Sequence, residues 1–201
     1  SPEGLGRELA RRALRLVLRV EAVIAQALKQ GSTQAQAWNR ALTEIYHASK
    51  AHCKYLVFKS FSEGLEARAA AGALAGPGLA ALRRLRDLYG LRAIEQDLGD
   101  FTEDGRLALA HADWVRDRIQ GLLVELRPDA VPLVDAWGFS DFALRSALGR
   151  YDGKVYEALI ESTRVNPLNQ REPVQGYEEY LRPILKSQEK QSTRLQHNSK
   201  L

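Results

Sequence analysis

The sequence predicts an all-α fold, an antiparallel helical bundle, and three observations predict it. Apolar residues recur at three- and four-residue steps over long stretches, and no segment shows sustained alternation. Helix punctuation, Ser-Pro or Pro at starts and Gly or Asn-Pro at ends, falls where those stripes begin and stop. The 201 residues suffice for one domain or one large lobe with a substantial core. A content of 45% hydrophobic and 27% charged residues, with no apolar run of about 18 residues, excludes a transmembrane helix, a collagen-like repeat and wholesale disorder. The 29 Lys and Arg exceed the 25 Asp and Glu by only four, which does not imply a nucleic-acid partner.

Ser1, Pro2 and Glu3 form a helix-starting order: a side-chain oxygen for the free amides, a residue with preset φ, and a carboxylate at the positive end of the dipole. Leu9, Ala13, Leu16, Val17, Val20, Ile24 and Leu28 then make one apolar stripe up to Gly31. A second stripe, Trp38, Leu42, Ile45, Tyr46, Cys53, Leu56, Val57 and Phe61, opens after Ser32-Thr33 and closes at Gly64. An Ala/Gly-rich connector, 69–78, leads to a third helix from Pro77 carrying Leu79, Leu82, Leu85 and Tyr89. Gly99 to Gly105 reads as a loop, and Leu107, Ala110, Trp114, Ile119, Leu122, Leu123 and Leu126 form a fourth stripe ending at Pro128. Two shorter segments follow, 128–138 and 140–149. Asp152 is expected to cap a helix with Val155, Tyr156, Leu159 and Ile160 that ends at Asn166-Pro167. A last amphipathic piece spans about 172–185, so the helical domain is placed at 1–186 and a polar, flexible tail at 187–201.

One cysteine, Cys53, cannot form an internal disulfide, which favours a reducing compartment, and it is expected in the core. No secretory signal peptide is visible. The Arg-rich amphipathic start imitates a mitochondrial presequence, but Glu3, Glu8 and Glu21 argue against one. A chain without methionine is expected to be a processed product or a fragment.

Candidate chemistry is sparse. Glu44 and His47, at i and i+3, have the spacing by which helical bundles hold a di-metal centre, but such a centre needs the motif twice plus two further carboxylates. The pair is therefore read as a polar helix face, and no metal site is assigned. His52 and Cys53 are adjacent and point about 100° apart on a helix, so they do not form a nucleophile–base pair. No Gly-rich phosphate loop, GxSxG or HExxH occurs. The turn Gly149-Arg150-Tyr151-Asp152-Gly153 has an arginine and glycines at a helix entrance, where an anion could bind; capping by Asp152 accounts for the same residues and is preferred. Asp129, Asp135 and Asp141 are read as caps and surface carboxylates.

The strongest signal is terminal. Ser199-Lys200-Leu201 is the small, basic, apolar tripeptide with a free carboxylate that the peroxisomal import receptor reads at a C-terminus.

From Leu126 the run LRPDAVPLVDAWGFSDFALRSALGRYDGKVYEALIE resembles the C-terminal part of peroxisomal acyl-CoA oxidases. Ala51-His52-Cys53-Lys54-Tyr55 leading to Phe61-Ser62-Glu63, Leu88-Tyr89-Gly90-Leu91 leading to Gly99-Asp100-Phe101, and Asn166-Pro167-Leu168-Asn169 fit the same family. The likeness covers essentially the whole chain. Within the family, VDAWGFSDF, NPLNQREPV and GYEEYLRP look closest to the branched-chain members that also act on bile-acid intermediates such as trihydroxycoprostanoyl-CoA.

The resemblance implies the acyl-CoA dehydrogenase-like fold, FAD as cofactor, and conversion of acyl-CoA and O₂ to trans-2-enoyl-CoA and H₂O₂ in peroxisomal β-oxidation. It also implies that the catalytic glutamate and the main FAD-binding domain lie upstream of the matched part. No catalytic residue is therefore assigned, Glu157 and Glu161 lying on the wrong motif for that base, and the cofactor-binding residues stay unknown. The expected partners are the upstream domains, a second subunit, the import receptor and, in the complete enzyme, an acyl-CoA; no nucleic acid or membrane is expected. Some members are clipped into a larger and a smaller piece, and this chain has the features of the smaller, inactive by itself. A competing reading is a non-catalytic helical interaction module imported by its SKL tail.

Overall fold

The computed structural model describes residues 1–188 except 104, 106, 109 and 171; Ser199, Lys200 and Leu201 lie outside the described residues. Among these the structure is wholly helical, without a strand. It divides into two units, Ser1–Ala136 and Trp137–Leu201.

In the first unit, α1 (Pro2–Lys29) starts as its sequence predicts, the Ser1 Oγ accepting the Gly4 amide at 3.3 Å. Thr33 begins α2 (Gln34–Arg40) with a reciprocal capping box: its Oγ1 accepts the Gln36 amide, and the Gln36 Oε1 accepts the Thr33 amide. The expected second helix is in fact two. A break at Ala41, fully buried, separates α2 from α3 (Leu42–Ala70), which runs through Gly64 rather than ending there. The bend lets Ala37 and Ala41 pack into the interior near the C-terminal end of α1, where Ala27 is equally buried.

After the short connector, α4 (Gly76–Gln96) carries Pro77 in its first turn, and α5 (Leu98–Thr102) replaces the expected loop around Gly99. Phe101 on α5 is buried, so the turn is held by the core rather than by its own propensity. α6 (Ala110–Leu126), a 3₁₀ turn at Arg127–Asp129 and α7 (Ala130–Asp135) complete the unit. Pair registers make neighbouring helices antiparallel. Arg12 meets His47 while Gly6 meets Phe58; Lys54 meets Asp97 while Glu66 meets Arg83.

The core forms around Leu9, Phe58, Leu91, Ile94, Phe101, Val115, Ile119 and Leu122. A second cluster, Ala13, Leu16, Ala48 and Ala51, joins α1 to α3 through small residues. This corrects the second stripe. The face of α3 that is buried is Ala48, Ala51, Phe58 and Leu65, while Trp38, Leu42, Tyr46, Leu56 and Val57 stay exposed, as does Cys53. Alanines permit close helix approach, so the larger apolar residues of that helix lie outside the contact. Val17, Leu28, Trp114 and Leu123 are likewise exposed members of their stripes.

The second unit contains α8 (Asp141–Leu144), α9 (Val155–Val165), a 3₁₀ turn at Pro167–Asn169 and a π-helical turn at Tyr177–Leu181 that continues as helix through 188, past the boundary expected at Lys186. No described residue of this unit is buried. Its local order comes from short-range polar bonds. Ser140 caps α8, Asp141 accepts the Tyr151 amide at 3.1 Å, and Asn166 accepts the Leu168 amide at 2.9 Å.

Candidate functional site

Two clusters of charged groups and two exposed surfaces compete for a functional role. The most buried cluster centres on Arg12, which sits on the apolar face of α1 among Leu9, Ala13 and Leu16 with its side chain 1% exposed. Its Nε donates to Asp100 Oδ2 at 2.7 Å, NH1 stands 2.9 Å from Asp97 Oδ2 as a charge contact outside hydrogen-bond geometry, and the guanidinium carbon lies 5.4 Å from the Phe101 ring centroid. Lys54 donates to Asp97 at 2.6 Å; His47 Nε2 lies 3.0 Å from Asp100. Arg15 reaches both the Asp100 carbonyl and Glu103, which also faces Arg19.

Burial pushes the Asp97 carboxyl up, but the Lys54 hydrogen bond and the charges of Arg12, Lys54 and Lys50 outweigh it and hold the group below the usual carboxylate range. Every ionised group here faces one of opposite sign. Such a cluster fixes the position of α5 against α1 and α3; it presents no unpaired nucleophile or base. Glu44 and His47 follow the same logic, since His47 is turned to Asp100 and not to Glu44's neighbours for metal binding. Among the described residues no group of three His, Cys, Asp or Glu is placed to hold a metal.

The second cluster borders a cleft of about 820 Å³ between the first turns of α1, the middle of α3 and α4. Gly6, Ala10, Tyr55 and Phe58 form its apolar side. On the polar side Arg83 and Arg86 both bond Glu66, and the buried Arg86 also bonds Asp87 at 3.0 Å. The Arg83 hydrogen bond is the main reason the Glu66 carboxyl lies below its usual range, against a smaller opposing effect of desolvation. Arg7 at the mouth has no partner among the described residues, and Ser62 Oγ is sealed from solvent without a hydrogen bond.

The turn 149–153 resolves differently from its sequence reading. Asp152 does not cap α9, whose N-cap is Lys154. It instead accepts the Arg150 guanidinium at 2.9 and 2.5 Å and the Lys154 amide at 3.0 Å, and chiefly the Arg150 bond lowers its pKa to about 2. Arg150 is thus engaged within the turn, leaving no free guanidinium there for a phosphate. Asp129 makes no side-chain cap bond, and Asp141 serves the Tyr151 amide.

The exposed surfaces are apolar. On the first unit, Val17, Val20, Trp38, Ile45 and Ala48 border a groove of about 300 Å³ that also includes His52 and Cys53. On the second, Trp137 is 76% exposed, Phe142 82% and Tyr151 84%. Sequence reasoning did not single out Arg12 or Arg86. The signal was available: each is an arginine within an apolar stripe, Arg12 three residues after Leu9 and Arg86 one after Leu85.

A family model described as acyl-CoA oxidase matches residues 1–186. The chain is 36% identical over 184 residues to peroxisomal acyl-coenzyme A oxidase 1 of Phascolarctos cinereus, covering 92% of this chain and 27% of that protein. It is 42% identical over 163 residues to peroxisomal acyl-coenzyme A oxidase 2 of Oryctolagus cuniculus, covering 81% and 23%. Among solved structures, acyl-CoA oxidase-1 of Caenorhabditis elegans in an apo form superposes with a TM-score of 0.80 at 28% identity, over 93% of this chain and 29% of that one. Acyl-CoA oxidase 1 of Arabidopsis thaliana gives 0.76 at 32%, over 94% and 27%. The chain thus spans about a quarter of the length of the relatives it matches. Helical architecture, residue pattern and extent of match agree, and the chain belongs to the acyl-CoA oxidase family.

Proposed function

We propose that this chain is the C-terminal helical part of a FAD-dependent peroxisomal acyl-CoA oxidase that forms a trans-2-enoyl-CoA and H₂O₂ from acyl-CoA and O₂, and that it is inactive alone. The observation that carries this reading is the second unit, which has large aromatic and aliphatic side chains and no buried residue among those described. An apolar surface of this extent calls for a covering partner, and the upstream part of the subunit and a second subunit are the partners proposed. The relatives are about four times longer, which leaves room for such a part.

FAD is a component of two solved relatives, one with ATP and one with ascaroside-CoA and ATP. The described residues of this chain do not themselves fit a flavin site. The guanidiniums of Arg83 and Arg86 in the cleft are engaged by Glu66 and Asp87, and Arg150 by Asp152. We therefore place the main flavin contacts and the catalytic base upstream, and derive no chemical step from residues here. Preference for branched-chain and bile-acid-intermediate substrates is proposed from VDAWGFSDF, NPLNQREPV and GYEEYLRP, and peroxisomal import from Ser199-Lys200-Leu201 together with the peroxisomal names of the relatives.

The test is peroxide release from a branched-chain acyl-CoA by the upstream portion of the oxidase, with and without this chain. Peroxide that requires both pieces is the expected result. Full activity without the chain would overturn the reading and leave an imported interaction module as its role.

A further inference from the structure

We propose that the cleft between α1, α3 and α4 binds an amphipathic organic anion, a carboxylate head carried on an unbranched apolar body, in a site independent of the oxidase chemistry proposed above. Its volume of about 820 Å³ lies within the usual range for small-molecule sites. Its two sides differ in chemistry. Gly6 and Ala10 on α1 face Tyr55 and Phe58 on α3, giving an apolar trough whose α3 side, from Tyr55 to Glu66, runs about 16 Å at 1.5 Å per residue. That shape suits an extended alkyl body better than a compact polar metabolite.

The head-group end is cationic. Arg83 and Arg86 share one carboxylate, Glu66, so two guanidiniums converge where one anion is supplied by α3. Arg86 obtains its second anion from Asp87, while Arg83 uses Nε and NH2 on Glu66 and has NH1 left for a further acceptor. Arg7 stands exposed at the mouth with no acidic partner among the described residues. Ser62 adds a hydroxyl donor beneath the trough whose Oγ is sealed from water and unbonded; another staggered χ1 well turns it toward the cleft. A buried hydroxyl without a partner is costly, and a ligand oxygen accepting from it relieves that cost. Carboxylate is the head group that matches a guanidinium fork, and one negative charge is what the excess of Arg7 and Arg83 over Glu66 accommodates.

The probe is dodecanoate, kept below its micellar range and titrated into the 201-residue chain by calorimetry and by amide chemical shifts, with dodecanol as the uncharged control. We expect one saturable site per chain, shifts centred on Gly6, Lys59 and Arg83, and much weaker binding of dodecanol. Arg7→Glu weakens dodecanoate by about tenfold, the effect of one charge-assisted hydrogen bond. Ser62→Ala weakens it severalfold, and Ala10→Leu, which fills the trough, abolishes it. Arg7 and Ala10 lie at the cleft surface, and retained helical circular dichroism separates loss of binding from loss of fold. The proposal is overturned if dodecanoate does not saturate, if dodecanol binds equally, if Arg7→Glu leaves the affinity unchanged, or if the shifts centre on the exposed aromatics of 137–160.

Discussion

Phe58 lies between two glycines, and that arrangement makes one substitution decisive. A Cβ on Gly90 would stand 2.7 Å from Phe58 Cε2 and 3.2 Å from Leu5 Cδ1, while on the other edge a Cβ on Gly6 would meet Phe58 Cε1 at 3.3 Å. The ring is 2% exposed and cannot swing to solvent. Gly90→Ala therefore forces Phe58 or the α4 backbone to shift, an overpacking cost of about 1–3 kcal/mol. Against it runs the helical preference for alanine over glycine, up to about 1 kcal/mol. Gly64→Ala isolates that second effect. Gly64 is also inside a helix, and its Cβ would meet only Arg68 NH1, at 3.8 Å. We expect Gly64→Ala to raise the urea midpoint and Gly90→Ala to lower it by the equivalent of about 1–2 kcal/mol, roughly 2–4 °C of melting temperature per kcal/mol. Phe58→Leu costs stability in the native background through the void it leaves, but much less in Gly90→Ala, a coupling of about 1 kcal/mol or more. A Gly90→Ala chain as stabilised as Gly64→Ala would refute the packing described for the α1–α3–α4 junction.

Arg12→Met keeps the volume but leaves Asp97 and Asp100 short of one buried cation; we expect a loss of about 3 kcal/mol by urea titration, with Arg12→Met/Asp100→Asn recovering part of it. Because the folded Asp97 carboxyl lies below its unfolded value of 3.8, its contribution is complete above that pH and is lost as pH falls through the native value. The acid limb of a stability–pH curve should accordingly flatten in Asp97→Asn, and an unchanged limb would assign the acid sensitivity elsewhere. A fluorescent protein carrying residues 187–201 at its C-terminus should enter peroxisomes, and removal of Ser199-Lys200-Leu201 should leave it in the cytosol; import without the tripeptide would remove its proposed role.

What was legible in the sequence was what local chemistry determines. Ser1-Pro2 and Thr33 start helices where the pattern places starts, Pro77 opens α4, and Asn166-Pro167 ends α9. The stripe of α3 misled because hydrophobicity ranks Trp38, Leu42, Tyr46 and Val57 above Ala48 and Ala51, whereas close helix packing selects the smaller side chains. Asp152 misled because a turn carboxylate can serve either a helix end or a neighbouring arginine, and Arg150 is two residues away. The α5 turn is too short to be encoded by propensity; Phe101 and the Arg12–Asp100 bond, a contact across 88 positions, hold it. Of the candidate cleft, the residues were visible but their convergence from α1, α3 and α4 was not.

The two units divide the work of folding differently, and the difference bears on the proposed assembly. In the first, nonlocal apolar burial and buried ion pairs define the structure. In the second, bonds across two to ten residues do so: Ser140 to Ala143, Asp141 to Tyr151, Arg150 to Asp152, Asn169 and Gln170 back to the end of α9. These polar closures leave Trp137, Phe139, Phe142, Tyr151 and Tyr156 outward and uncommitted. Ordering a loop before it docks lowers the conformational entropy lost on docking, while outward aromatics supply the area that docking buries. A segment whose polar groups are satisfied locally and whose aromatics are not is built to complete its core against another surface, which is the role proposed here for residues beyond Ala136 in a larger oxidase.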